Sequence, residues 1–351
     1  GNSIVSGGNY NVVVGDEAGT ALTTGDGNTA VGFEALKTED ANGFNTAIGH
    51  QALETLNAGA DAYNTAVGYN AGTAVTTGTF NTLIGGLAGD SITTGSYNTV
   101  VGYKALDAHT TGTRNIAVGS FSLDANTTAS DNTAVGYSGL GLNTTGANNV
   151  AFGNHSLQAN TTASNNTAVG YASLTANTTG AQNTSTGAES LEANTTGAGN
   201  TAHGYAALEA NTTAANNTAV GSYALLRNTT GADNTAVGAL ALDACTTGAA
   251  NIAIGNNALG SDTKGNISVA IGRQALQAQN FTGATDTHNT AVGFSSGFSS
   301  TTGTSNTFLG SQAGYAVTTG YQGVMVGYNA GVASTTGQNN VLVGYSAGAE
   351  I

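Results

Sequence analysis

The chain of 351 residues has no proline, no tryptophan, one cysteine and one methionine, and it sets only 6 lysines and arginines against 20 acids. Each shortage excludes something. With Cys245 alone, no disulfide can form within the chain, so disulfides contribute nothing to its stability and the redox compartment is left open. A net charge of −14 argues against a phosphate-binding surface, which disfavours nucleic acid and anionic membrane as partners. Charged residues make up 7% and hydrophobic residues 39%, which does not fit the charge-rich recipe for disorder. Yet aromatics are only 6%, and the apolar residues are mostly small, so they cannot fill a thick globular core. Any core must be thin and regular. No apolar run approaches the length of a membrane span, and no basic-then-apolar secretion signal is present. A chain that begins at Gly1 without an initiator Met is expected to be a segment of a longer one.

What is present in excess is glycine, 53 residues of it, and a repeat. The motif Asn-Thr-Ala-Val-Gly recurs in 20 copies, its glycine falling at 15, 32, 49, 68 and onward to 344, and 17 of the 19 intervals are 17 residues. The exceptions are 19 residues between Gly49 and Gly68 and 21 between Gly272 and Gly293. No linker interrupts the pattern, so residues 1–351 read as a single continuous repeat domain. A unit of 17 residues is too short for a helical hairpin, and its Gly, Thr, Asn and Val favour extended structure and turns. The expected fold is all-β, a parallel β-solenoid of 20 coils with one repeat per coil. At a strand spacing of about 4.8 Å per coil, such a stack makes a rod of roughly 90–95 Å.

Residue types at each repeat position predict where side chains point. Three residues before the anchor glycine, all 20 copies are β-branched, and one residue before it 18 are apolar, the exceptions being Thr186 and His203. These two positions share one strand face, and the residue between them lies on the other. Four residues after the glycine, 13 copies have Leu and 7 have Gly. In 12 of the 13 Leu copies the residue two before the anchor is Ala or Ser, whereas in 5 of the 7 Gly copies it is large, as at Leu83, Phe308 and Met325. Large-with-Gly and small-with-Leu conserves volume in a shared layer, so these positions should fill the interior. The Thr/Val face then points outward, and an apolar stripe of that length needs a partner, most simply further copies of the chain about a rotation axis.

At this point a resemblance enters. Ser268-Val-Ala-Ile-Gly272 resembles the core of the head repeats of trimeric autotransporter adhesins. Asn-Thr-Ala-Val-Gly-Tyr with Asn-Thr-Thr-Gly is similar to repeats of phage tail fibres and bacterial tail-fibre-like surface proteins. The resemblance covers the whole chain through short motifs. It implies a left-handed β-roll assembled as a homotrimer, extracellular, in a virion tail fibre or on a bacterial cell surface, binding a host-surface glycan or protein receptor. The 17-residue unit is longer than the usual adhesin head unit, and no neck, anchor or catalytic function is carried over.

Candidate sites follow from positions that break or decorate the repeat. Tyr69, Tyr103, Tyr137, Tyr171 and Tyr205 follow the anchor glycine with a period of 34 residues, one ring on every second coil. Such a row can stack sugar rings of a receptor or serve as a structural rib. The two longer intervals insert residues within Thr55–Tyr63 and Gln279–His288, and the second brings Phe281, Asp286 and His288, an aromatic expected to be exposed beside polar groups. Loops on a rigid scaffold carry specificity, so a receptor read by this segment is expected to be read there, neutral insertions on a spacer being the preferred alternative, and trimming the second loop is expected to leave the fold and trimer intact. Thr186 and His203, on adjacent coils, would form a polar layer near a trimer axis, able to hold waters or an anion, but a tolerated defect in the apolar column is the preferred reading. Asp90, Asp107 and Asp124 stack five residues after the anchor, as do Glu192 and Glu209. A bridging Ca²⁺ would relieve their repulsion, but side chains splayed into solvent are the preferred reading, so the expected metal set is none, with those three aspartates as lesser candidates.

The 18 Asn residues four before the anchor could be glycosylation acceptors, but they read better as a ladder whose amides bond along the stack. Histidines 50, 109, 155, 203 and 288 fall at different repeat positions, so no zinc or catalytic cluster is expected, and no cofactor. No Ser-His-Asp constellation can be named and an enzyme is not expected. The alternatives to an attachment fibre are a passive spacer and an ice-binding solenoid presenting its threonines.

Overall fold

The computed structural model describes residues 8–350, which form two compact units, one ending at Thr179 and one beginning at Gly180. The first holds ten three-residue strands, from Val12–Val14 to Thr167–Val169. The second holds ten, from Thr184–Thr186 to Val341–Val343, and two shorter ones, Gly265–Asn266 and Thr285–Asp286. Among the described residues there is no helix. Within each unit consecutive strands pair in parallel at equal repeat positions, as in Thr133↔Val150, Ala134↔Ala151 and Val135↔Phe152. Parallel pairing between successive copies of one repeat is a β-solenoid, with ten coils in each unit.

The two insertions leave the register untouched. Thr46 pairs with Thr65 across the 19-residue interval, and Val269 with Thr290 across the 21-residue one. A slip would have turned the apolar side chains to the wrong face, so the extra residues are taken up in the turns between strands instead.

The coil from Asn149 to Asn165 shows the cross-section. Asn149, Ala151, Ser156, Leu157, Asn160 and Ala163 are buried, whereas Val150 and Phe152 are exposed. The expected division of the strand faces therefore holds. The exchange of Leu and Gly four after the anchor holds as well, and it extends between coils. A Cβ on Gly72 would meet Leu83 Cδ1 at 2.5 Å, and one on Gly297 would meet Phe308 Cδ2 at 2.6 Å. These are the two Gly copies whose own coil supplies only Ala, and the next coil fills their space. Backbone conformation adds a second reason for the exchange. The Leu copies adopt positive φ, from 49° at Leu36 to 54° at Leu242, in the left-handed region where glycine is unstrained. Burying a Leu in the thin core offsets that local cost.

The anchor glycine is required for another reason. At Gly136 φ is 132° and a Cβ would meet the carbonyl oxygen of Gly153 at 2.5 Å, so coils stack too closely for any side chain.

Two polar columns run through the interior. The Asn four before the anchor forms the expected ladder: Asn149 N donates to Asn132 Oδ1 at 3.0 Å, and Asn132 Nδ2 donates to the carbonyl of Gly146 at 2.9 Å. Sixteen of the eighteen, all but the half-buried Asn11 and Asn340, are buried, which withdraws them from any glycosylation chemistry in the folded chain. A second column, seven residues after the anchor, is also buried and holds Asn126, Asn143, Asn160 and Asn177 in the first unit. Asn160 Nδ2 donates to Asn143 Oδ1 at 2.8 Å and to the carbonyl of Ala163 at 3.0 Å. Leu22, Leu56, Val75 and Ile92 occupy the same column nearer the start, as do Glu39 and His109.

Candidate functional site

On the outward strand face, the column one residue before the anchor glycine is apolar in both units beside a mostly threonine column. Ile48, Ile84, Phe152 and Val169 are exposed in the first, and Ile254, Ile271 and Leu309 in the second, each at least 36% accessible. Thr186 and His203 interrupt this face on adjacent coils of the second unit and hydrogen-bond to each other through Thr186 Oγ1 and His203 Nδ1.

The tyrosine row is exposed at all of Tyr69, Tyr103, Tyr137, Tyr171 and Tyr205. Its gaps are filled from the neighbouring repeat position. Tyr103, Phe121, Tyr137, His155 and Tyr171 form one continuous herringbone, with centroids 5.4–6.2 Å apart and rings nearly perpendicular. Edge-to-face contact of this kind stiffens the corner of the roll. In the second unit Tyr205 meets Tyr223 edge-on at 5.3 Å, and its phenol donates to Glu189, which pushes its pKa up to about 12.

A second aromatic column stands five residues before the anchor glycine and escaped the reading above. Phe44, Tyr63, Phe80 and Tyr97 are exposed and stack in parallel, 4.9–5.4 Å between centroids and within 9° of coplanar. The signal was available as an aromatic at one repeat position in four consecutive coils. It was masked because the same column turns polar at Arg114 and Asp131, which pair at 2.6 Å.

A lysine stands beside the stacked aspartates. Lys104 Nζ lies 3.2 Å from Asp107 Oδ2. Burial and then the adjacent Asp107 carboxylate push Asp90 up to about 7, so it carries a proton through much of the acidic range. Burial, then Asp107, also raises Asp124. Among the described residues no group of three or more His, Cys, Asp and Glu side chains is placed to hold a metal ion, and Asp90, Asp107 and Asp124 do not form one.

The loop within Gln279–His288 needs a correction. Phe281 is buried, at 7% accessibility, so it presents no ring to a receptor. It sits beside a buried polar network: Gln279 Nε2 donates to Asp262 Oδ2 at 2.6 Å and to Ser268 Oγ at 2.8 Å, and Phe281 N donates to Asp262 Oδ1 at 3.2 Å. Gln279 Oε1 in turn accepts from Asn289 Nδ2 at 2.9 Å. Ser268 lacks the amide of the Asn it replaces, and the inserted loop closes the gap, which is why an apolar residue folds inward there. Asp286 and His288 do remain exposed, Asp286 accepting from Asn266 Nδ2 at 3.1 Å.

Two side chains with catalytic potential are instead structural. Cys245 is buried and its thiol is pushed up to about 12, chiefly by burial, which leaves it inert. His109 is fully buried with Nε2 2.9 Å from the carbonyl of Gly112, and burial lowers its pKa.

The threonine row eight residues after the anchor glycine is bonded along the stack. Thr110, Thr127 and Thr144 each donate Oγ1 to the carbonyl of the equivalent Thr one coil on, at 2.9–3.2 Å. Compared with known proteins, the chain matches no family model and no curated protein.

Proposed function

We propose that the chain is the repetitive shaft or head segment of a homotrimeric, left-handed β-roll fibre, extracellular on a virion or a bacterial cell, with a structural and attachment role. The observation that carries the reading is the exposed Val/Ile face. Water-facing apolar side chains recur coil after coil while the interior of each coil is already filled by Ala, Leu and Asn. A soluble monomer does not keep so long an apolar row in water, and a rotation axis covers it with the fewest distinct surfaces. The polar pair Thr186 and His203 would then lie near the axis. The strand-face threonines share their face with Val, Ile, Phe152 and His203, which break up a flat hydroxyl array and support a fibre over an ice binder.

Light scattering on the purified chain tests the assembly. A trimer is expected, and Val169→Asp with Val237→Asp should disperse it or render it insoluble, because an unpaired carboxylate buried at an interface costs several kcal/mol. A soluble monomer with the face intact overturns the reading. Attachment is tested by adhesion of the same protein to candidate cells.

A further inference from the structure

Five residues after the anchor glycine, the first unit carries Asp90, Asp107 and Asp124 on successive coils and Gln158 two coils beyond Asp124, with Gly141 between them. One missing side chain leaves a cleft of about 250 Å³ floored by Gly141. Asp124 and Gln158 stand at its two ends, Phe121 and Tyr137 form one wall, and Leu142, 54% exposed, forms the other.

We propose that this cleft binds a single neutral pyranose residue of a glycan. The proposal deepens the attachment reading and rests on it for its biological sense. Volume comes first: the cleft is smaller than the roughly 300–1,000 Å³ of sites for drug-sized ligands, and suits one sugar ring. The walls come second. Phe121 and Tyr137 meet at 81° with centroids 5.9 Å apart, so their faces do not cover each other. The parallel stack of Phe44, Tyr63, Phe80 and Tyr97 buries its faces ring on ring and offers only edges. A pyranose needs an aromatic face for its C–H side, and the herringbone is where one is offered. Polar groups come third. Asp124 Oδ1 has no hydrogen-bond partner in the protein, and the Gln158 amide is oriented by His155 Nδ1 at 3.1 Å from Oε1. Hydroxyl groups in the cleft can bond the Gln158 amide, and they reach the Asp124 carboxyl once its sealed Oδ1 turns toward them. Charge comes last: Lys104 is engaged by Asp107, so no base is left to hold an acidic sugar and the local acid is partly offset against a cationic ligand.

The chain contains its own comparison. Asp243, Gly260 and Gln277 repeat the same polar triple in the second unit, but Leu240 and Asn256 stand where Phe121 and Tyr137 do, and Ser261 replaces Leu142. The aromatic walls are specific to Gly141.

The test is saturation-transfer NMR on the intact chain with methyl glycosides of glucose, galactose and N-acetylglucosamine, and with tetramethylammonium as the cationic probe. Gly141→Gln fills the cleft with the side chain of the next coil. Gly141 has no positive φ, and a Cβ there would have Ser138 O as nearest neighbour at 3.2 Å, so the variant should fold with a small adjustment. At least one glycoside should receive saturation, and both Gly141→Gln and Tyr137→Ala should weaken it by at least about tenfold while Gly141→Gln keeps the parent melting temperature. The proposal is overturned if the glycosides are silent on the parent, if Gly141→Gln binds them equally well, or if only tetramethylammonium responds. A parent that adheres to cells while the glycosides are silent overturns the cleft alone. A parent that binds glycosides but adheres to no cell supports the cleft and removes the attachment reading.

Discussion

The backbone N–H of Asn149 and the side-chain Oδ1 of Asn132 are 3.0 Å apart and one repeat apart, and this bond is what lets so small a side chain hold two coils together. Asn132 also donates Nδ2 to the carbonyl of Gly146, while its own N–H bonds Asn115 Oδ1 at 3.1 Å. Each Asn thereby satisfies backbone groups that would be stranded in a dry interior.

Replacing Asn132 with Ala should therefore cost far more than its few lost atoms suggest. It strands the Asn149 N–H, at about 1–3 kcal/mol for a buried unsatisfied group, while the Gly146 carbonyl keeps the amide of Asn143 at 2.9 Å. Thr145→Ala, at an exposed position of the same coil with ordinary backbone angles, should be nearly neutral. Thermal unfolding of both variants checks this, and equal melting temperatures would remove the ladder from the account of stability.

Raising the pH should weaken the first unit through Asp90. Its folded pKa of about 7 lies above the unfolded carboxyl value near 4, so the folded state binds the proton more tightly. That stabilisation is fully present below the unfolded value and is lost as pH rises through about 7. Asp90→Asn should flatten the melting temperature between pH 4 and 8 and raise it at the upper end. A parent-like pH profile in the variant would mean that Asp107 and Lys104 absorb the charge without Asp90.

Much of this architecture is legible in the residues. The period, the outward Val135 and inward Ala134, and the pairing of Gly89 with Leu83 all follow from side-chain volume and the two-residue alternation of a strand, which composition records directly. The column through Asn126 and Asn160 is less legible because Asn-Thr-Thr-Gly reads as an exposed turn. Only the left-handed residues near Leu123 and Leu157, at φ of 51° and 49°, turn that Asn inward. Dihedral angles of that kind leave no mark on composition when a Leu adopts them. Phe281 was misplaced for a similar reason: an inserted aromatic suggests exposure, and its burial depends on the polar gap at Ser268, ten or more residues away in sequence. The cleft at Gly141 is visible as a Gly in an acidic column, but its meaning depends on which rings stand beside it.

Acid should act through His109 in the opposite direction to Asp90. Its folded pKa is lowered by burial, so stability is present above the unfolded value near 6.5 and is lost as pH falls below it, where the unfolded chain takes up the proton. His109 Nδ1 has no partner in the buried column. Asn126, at the equivalent position of the next coil, bonds the same turn twice, donating to Ala129 O at 3.3 Å and accepting from Ala129 N at 3.2 Å. His109→Asn should thus match or exceed the parent at pH 8 and exceed it clearly at pH 5, measured by thermal unfolding. A variant less stable than the parent at pH 5 would show that the imidazole is better accommodated than its unpaired nitrogen implies.

The inserted loop gives the last prediction, and it reverses the expectation that the loop can be trimmed without consequence. Gln279 bridges Asp262, Ser268 and Asn289, and Phe281 closes over them, its N–H on Asp262 Oδ1. Removing the ring exposes a buried carboxylate and amide to water and leaves a cavity, so Phe281→Ala should destabilise by about 3 kcal/mol, in the range of buried aromatic truncations. Deleting residues 279–282 to restore the 17-residue period should be worse, because Asp262 would stay buried beside Gly265 with only the Gly265 N–H at 3.0 Å as partner. Coupling the deletion to Asp262→Asn, Ser268→Asn and Gly283→Asn, the last at the place Gln279 vacates, restores the consensus amides of both interior columns and should recover most of the loss. Melting temperatures of the deletion with and without the paired substitutions decide the matter. If the bare deletion melts with the parent, the loop is an ornament on a self-sufficient coil. If only the repaired deletion does, the insertion is held in the chain by the missing Asn at position 268, and its exposed Asp286 and His288 are then carried by a loop whose first duty is structural.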